Sequence, residues 1–227
     1  MMEKLCQTYK YTFRTYVLSS GDGLSADRAR NLETDIEAAE KKRGIVSWRE
    51  IKAQGKGSVE EAGVECEKGG WPLVGHSGPG TYGIVTVPRA RRIHQSLLST
   101  PVSALWCLVG CLRVLLGKGI PIPTSGFEPM DQYDAVAFDY PDVIFCNGPG
   151  SAVIMVLASW ILRFFDVRGA QSRGKMKVVY VESFARVKSL SLSGRLLVRV
   201  VDHFYVQWPQ LKGAGGGRAK YAGFLVI

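Results

Sequence analysis

MKVVYVESFARVKSLSLSGRLLVRVVDHFYVQWPQL, residues 176–211, decides the fold. Met176 to Val181 is apolar and β-branched, the composition of a buried strand. It ends in Glu182-Ser183, followed by Phe184-Ala185-Arg186. Leu190, Leu192, Leu196, Leu197 and Val200 then recur at roughly helical spacing. Ser189, Ser191, Ser193 and Gly194 fall on or near the other side, which predicts an amphipathic helix. Phe204 to Trp208 reads as a second short strand, stopped by Pro209. Strand, polar loop, helix, strand is the repeating unit of a parallel α/β sheet, and such sheets bind ligands at the loops after their strands' carboxyl ends. Recognition or chemistry is therefore expected between Glu182 and Lys188.

The unit just before it has the same form. Val143 to Cys146 is a strand that runs into Asn147-Gly148-Pro149-Gly150, and Ser151 to Phe165 is the apolar helix behind it. Glycines at this junction either let backbone amides and a helix N-terminus approach a ligand or simply make a tight turn. The two loops belong to consecutive strand–helix units, so in a parallel sheet they share one edge and line one cleft. Further upstream, Tyr82 to Pro88 is a strand followed by Arg89-Ala90-Arg91-Arg92-Ile93-His94, the densest positive patch of the chain. Its arginines suit a bidentate clamp on a diphosphate, or else form a solvated basic turn or a nonspecific lipid contact.

At the amino-terminal side, Tyr11 to Ser20 reads as a strand, and Ser25 is placed to cap an exposed, charge-rich helix from Ala26 to about Lys42. Periodicity dissolves over residues 44–81, which read as a flexible insertion; GHSGPG within it resembles a phosphate loop only superficially. The glycine-rich tail, 212–227, ends in Phe224-Leu225-Val226-Ile227. Those four residues either complete the sheet as an edge strand or meet another chain.

At 227 residues the chain suits a single Rossmann-like domain, and 46% hydrophobic with 22% charged residues is an ordinary globular composition. A net charge of +9 points to an anionic partner: phospholipid headgroups, a diphosphate or nucleic acid. Five cysteines, an odd number without a CxxC pair, read as buried free thiols in a reducing compartment. No secretory signal opens the chain. The apolar run Val102 to Leu116 makes a helix of about 22 Å, shorter than the roughly 30 Å hydrocarbon core, so it and Ser151 to Phe165 read as core or interfacial helices. No catalytic triad, metal-ligand spacing, Walker loop or GxGxxG fingerprint is found, so no metal, cofactor or catalytic residue is assigned.

These blocks carry a resemblance. YTFRTYVLSSGDGLSADRA, TVPRARRIHQSLLSTP, PDVIFCNGPGSAVIMVLAS, YVESFARVKSLSLSGRLL followed by DHFYVQWPQL, and YAGFLVI resemble, in order, the anchoring, acceptor-side subunit of the two-part UDP-N-acetylglucosamine transferase of dolichol-linked oligosaccharide synthesis. The resemblance implies the Rossmann-like, acceptor-binding half of a GT-B glycosyltransferase. It implies a non-catalytic role at the cytosolic face of the endoplasmic reticulum membrane, or the nuclear envelope. There the chain would recruit the catalytic subunit and help bind GlcNAc-diphosphodolichol, with no nucleic-acid partner. Arg89, Arg91, Arg92, Asn147, Gly148, Gly150, Glu182 and Ser183 become the expected acceptor-binding residues, with Glu182 orienting a loop or the acceptor. Phe224, Leu225, Val226 and Ile227 become the expected dock for the catalytic subunit. The resemblance also implies an opening membrane-spanning helix, first strand and glycine–histidine loop, after all of which this chain is expected to start, and a connection shorter than its 44–81 stretch. The competing readings are a self-sufficient, sugar-nucleotide-dependent enzyme of Rossmann type and a basic module that binds membranes or nucleic acid.

Overall fold

The computed structural model describes residues 10–55, 74–78, 81–91, 100–117, 138–148 and 150–223. The chain, whose length suits one domain, divides into two compact units. The first comprises Met1–Thr86 and Ile120–Phe138, the second Val87–Gly119 and Asp139–Ile227.

In the first unit, strand β1 (Arg14–Ser19) leads into helix α1 (Gly23–Arg43). The helix is capped by Asp22, not by the expected Ser25: the Asp22 carboxylate accepts from the Ser25 amide at 3.2 Å and from its hydroxyl at 2.8 Å. Gly44 ends the helix in the left-handed region (φ 68), after Lys41, Lys42 and Arg43 have placed positive charge at its carboxyl end. The buried face is Ala29, Glu33, Ile36 and Glu40, so two of its acids are not part of a solvated face. Arg14 from β1 explains Glu33: its guanidinium donates to both carboxylate oxygens at 2.7 Å, and the Tyr16 hydroxyl donates to Oε1 at 2.7 Å. Burial, followed by the hydrogen bond to Glu33, pushes the Tyr16 hydroxyl's pKa up. The Ser77 hydroxyl donates to Glu40, whose pKa burial raises in spite of that bond.

The described ends of the 44–81 stretch carry regular structure: strand β2 (Val46–Ser47), helix α2 (Trp48–Ala53) and strand β3 (Val74–Gly75), with β2 and β3 parallel. The first four residues of GHSGPG, Gly75 to Gly78, start from this pairing; Pro79 and Gly80 lie outside the described residues. His76 and Ser77 are buried, and the imidazole stacks on Trp48 with ring centroids 6.4 Å apart. Strand β4 (Tyr82–Val87) pairs with β1, and its last residue, Val87, belongs to the second unit.

The second unit is an α/β layer structure on a four-stranded parallel sheet, in the order β5 (Val143–Asn147), β6 (Lys177–Val181), β7 (His203–Val206), β8 (Ala219–Tyr221). Helix α3 (Thr100–Leu115) precedes it and packs on α4 (Gly150–Phe164), which connects β5 to β6; α5 (Leu192–Leu197) connects β6 to β7. The architecture is consistent with a Rossmann-like topology, as the strand–loop–helix order predicts. Tyr180 and Phe204 are register partners whose rings stack at 5.2 Å in the core. Cys107, Cys111 and Cys146 are free, buried thiols. The edge strand of the tail is Ala219–Tyr221, upstream of the expected Phe224 to Ile227, which lie outside the described residues.

Helix α5 splits its leucine stripe, burying Leu197 and leaving the others outside. Ser193, Gly194 and Leu197 face inward, whereas Leu192 is 74% and Leu196 57% exposed. The reason is a carboxylate beneath it: a β-carbon on Gly194 would overlap Glu182 Oε2 and lie 3.1 Å from its Cδ, so only a glycine lets the helix sit down on that group. No helix among the described residues is long and apolar enough to cross a membrane.

Candidate functional site

Three loops of the second unit converge. Pro88 to Arg91 follow the end of β4. The Ala90 carbonyl accepts from the Ser103 hydroxyl at 2.9 Å, which fixes this basic loop to the first turn of α3. Gly150, the first residue of α4, lies against the same loop: a β-carbon there would sit 3.4 Å from Ala90 Cβ. The start of α4 thus abuts the arginine loop. Gly148 takes φ 111, a conformation open to glycine, and its carbonyl accepts from the Tyr180 hydroxyl at 3.2 Å. Tyr180 is thereby a positioning residue that ties the turn to the central strand.

The third loop follows β6. Asn147 and Val181 are register partners, so Asn147 and Glu182 stand at the carboxyl ends of neighbouring strands. Arg89, Asn147, Gly148, Gly150, Glu182 and Ser183 are therefore brought to one edge, with Arg91 on the basic loop; Arg92 and Pro149 lie outside the described residues. Arg91, Asn147 and Gly150 are exposed; Arg89, Gly148 and Ser183 are half-buried.

Glu182 stands apart, at 1% exposure. Its Oε1 accepts from the Ser183 amide at 2.9 Å, and its Oε2 accepts from the Ser191 amide and hydroxyl, each at 3.1 Å. Ser191 in turn caps α5 by accepting from the Gly194 amide at 2.9 Å. The Glu182 backbone is held as well: its carbonyl accepts from Gln207 Nε2, and its amide donates to Tyr205, both at 2.9 Å. A carboxylate used in this way has no oxygen turned to the cleft. It braces the 183–191 loop against α5; what the loop presents outward is Ser183 and Phe184.

Phe184 and Trp208 form an aromatic pair at this edge that sequence reading did not single out. Their ring centroids are 5.2 Å apart, and the indole N–H donates to the Phe184 carbonyl at 2.7 Å. The available signal was positional: each aromatic follows closely on a strand end in a parallel unit. On β5, burial pushes the Cys146 thiol up to about 12, away from the thiolate form. Among the described residues, no group of three or more His, Cys, Asp or Glu is placed to hold a metal ion.

Residues 69–225 match the family model described as "Oligosaccharide biosynthesis protein Alg14 like". The chain belongs to the Alg14-like family. It is 36% identical to the UDP-N-acetylglucosamine transferase subunit alg14 of Aspergillus fumigatus, over 95% of this chain and 93% of that protein. It is 43% identical to the subunit of the same name from Schizosaccharomyces pombe, over 63% of this chain and 55% of the relative. With the mouse subunit ALG14 it shares 32% identity over 58% of this chain and 48% of the relative. No solved structure matches. The Alg14-like match spans the basic loop, the Asn147-Gly148 turn, the Glu182 brace and the sheet that carries them.

Proposed function

We propose that this Alg14-like chain is the non-catalytic, acceptor-side subunit of a UDP-N-acetylglucosamine transferase in protein N-glycosylation. The observation that carries the reading is the near end-to-end relation to the Aspergillus subunit, 36% identical over 95% of the chain. In this reading the second unit is the acceptor-binding half of a GT-B glycosyltransferase. The chain works on GlcNAc-diphosphodolichol at the cytosolic face of the endoplasmic reticulum membrane, and a separate catalytic subunit supplies the donor site.

The geometry supports a division of labour among the three loops. A diphosphate needs cations and directed N–H groups. Arg89 and Arg91 stand beside the Gly150 start of a 15-residue helix, whose dipole places positive charge at that end and favours an anion. Arg92 belongs to the same sequence patch. Asn147, Ser183 and the Phe184–Trp208 pair offer polar and aromatic surface to the sugar next to that diphosphate. Glu182 sets the loop's shape. Phe224 to Ile227 dock the catalytic subunit.

The test is co-expression with a candidate catalytic subunit, followed by an assay of transfer from UDP-GlcNAc to GlcNAc-diphosphodolichol. Activity is expected only when both chains are present. Transfer by this chain alone would overturn the non-catalytic reading.

A further inference from the structure

Helices α3 and α4 each leave an apolar stripe uncovered. On α3, Val102, Leu105 and Trp106 are exposed, the last two at 61% and 64%, while Cys107, Cys111 and Val114 face the core. On α4, Leu157, Trp160 and Phe164 are exposed at 41%, 49% and 67%, and Phe165 just beyond it at 70%, while Met155, Val156, Ala158, Ser159 and Leu162 face inward. The exposed positions follow helical spacing on both helices, so these are faces and not scattered side chains. The two helices pack together, and their carboxyl ends are joined by Arg168, which donates to the Leu116 carbonyl at 3.4 Å. The α4 rings also cluster: Trp160 stacks on Phe164 at 5.4 Å, and Phe164 meets Phe165 edge-on at 5.1 Å.

The charge around this surface selects its occupant. Thr100–Leu115 and Gly150–Phe164 contain no acid at all, and their only charged residues are Arg113 and Arg163, each in the last turn. Arg163 is engaged by Asp202 at 2.9 Å, whereas Arg113 and Arg168 are exposed at the helix ends. Asp166, the acid that follows α4, has its carboxylate occupied by the Gln171 and Ser172 amides and the Ser172 hydroxyl. A second copy of the chain would bring like charges together on this face. A negatively charged, apolar-cored layer would take both the rings and the arginines, and tryptophan is the side chain best suited to the boundary between water and hydrocarbon.

We infer that the exposed faces of α3 and α4 form a peripheral membrane-docking surface that lays Trp106, Trp160, Phe164 and Phe165 into an anionic lipid interface, with Arg113 and Arg168 on the headgroups. The inference rests on the membrane placement proposed above and names the face that would achieve it. Flotation of the full chain with phosphatidylcholine vesicles, with and without phosphatidylserine, tests it. Binding is expected with phosphatidylserine and is expected to fall as salt rises. Trp106→Ser combined with Trp160→Ser, and separately Phe164→Ser combined with Phe165→Ser, are each expected to weaken partition by at least about tenfold. Arg113→Gln with Arg168→Gln should weaken it by a similar factor, only where phosphatidylserine is present. In vesicles carrying brominated acyl chains, single-tryptophan variants should show quenching of Trp106 and Trp160 and none of Trp48. Circular dichroism confirms that each variant is folded.

Unchanged flotation in folded aromatic variants, absence of flotation by the wild-type chain, or quenching of Trp48 but not Trp106 would each overturn the inference. So would a dimer that the aromatic substitutions dissociate, because the face would then belong to a second copy. Co-purification with the catalytic subunit is read in the same variants. Its loss with lipid binding retained makes the face a protein interface, overturning this inference and leaving the accessory-subunit assignment intact.

Discussion

Gly194→Ala offers a test in which two ordinary expectations disagree in sign. Judged from its helix alone, replacing glycine by alanine in the first turn of α5 stabilises by up to about 1 kcal/mol, because alanine is the better helix former. The structure reverses this. The added methyl overlaps Glu182 Oε2, comes within 3.1 Å of Cδ and within 3.2 Å of Ser191 Oγ. Glu182 is almost wholly buried and held by three hydrogen bonds from Ser183 and Ser191, so it has no vacant direction in which to move. Overpacking of this kind costs about 1–3 kcal/mol, and displacing the carboxylate loses charge-assisted hydrogen bonds of about 1.5–3 kcal/mol each. The net expectation is a loss of about 2–3 kcal/mol. In urea unfolding followed by tryptophan fluorescence, with a slope near 2 kcal/mol per molar, the midpoint should fall by roughly 1–1.5 M. In a Glu182→Ala background the methyl has room, and Gly194→Ala should become neutral or stabilising by up to about 1 kcal/mol. An unchanged or raised midpoint for Gly194→Ala in the wild-type chain would refute the brace.

Other expectations are equally direct. Glu33→Ala should destabilise the first unit by about 3 kcal/mol in chemical denaturation, because it leaves the half-buried Arg14 guanidinium and the Tyr16 hydroxyl without their shared, buried carboxylate; joint replacement by Arg14→Met and Glu33→Leu should cost far less. The Asp139 carboxyl is lowered to about 2, chiefly by its hydrogen bond from Arg173 and with Lys175 nearby. A depressed folded-state pKa gives stability that is present above the unfolded value near 4 and lost as pH falls towards 2, so Asp139→Asn should flatten the acid limb of a thermal-denaturation profile between about pH 4 and 2. With the catalytic subunit present, Arg89→Gln with Arg91→Gln should raise the apparent KM for the lipid acceptor by about tenfold or more and leave that for UDP-GlcNAc nearly unchanged, as measured by initial rates. Deleting Phe224 to Ile227 should abolish co-purification with the catalytic subunit, and full retention in a pull-down would remove that assignment.

Much of the second unit is legible in the sequence. Met176 to Val181 and Val143 to Cys146 are short runs of β-branched and apolar residues between polar breaks, and both are strands of one parallel sheet. The loops after them are adjacent because parallel neighbours must start and end together, a rule of topology that needs no side-chain detail. The arginine loop joined them for a less legible reason: the Ser103 hydroxyl and the bare backbone of Gly150 hold Ala90 in place, and neither is more than a common residue in a linear reading. The ends of the 44–81 stretch escaped because two-residue strands carry no periodicity; β2 and β3 exist by virtue of each other.

What the sequence by itself determined is the order of strands, loops and helices in the second unit, the basic character of its first loop and, through its ordered blocks, the family. Those are properties of local composition and spacing, and they survive whatever the chain packs against. Only the tertiary structure decided which groups are inside. Glu33, Glu40 and Glu182 are buried because a guanidinium, a hydroxyl and two serines reach them from elsewhere in the chain. The stretch from 176 to 211 shows the difference most plainly. Its leucine stripe predicts one buried face for α5, yet a carboxylate that must keep its hydrogen bonds turns Ser193 and Gly194 inward and leaves Leu192 and Leu196 outside. An unmet buried charge costs more than an exposed leucine, and that comparison exists only once the chain has folded.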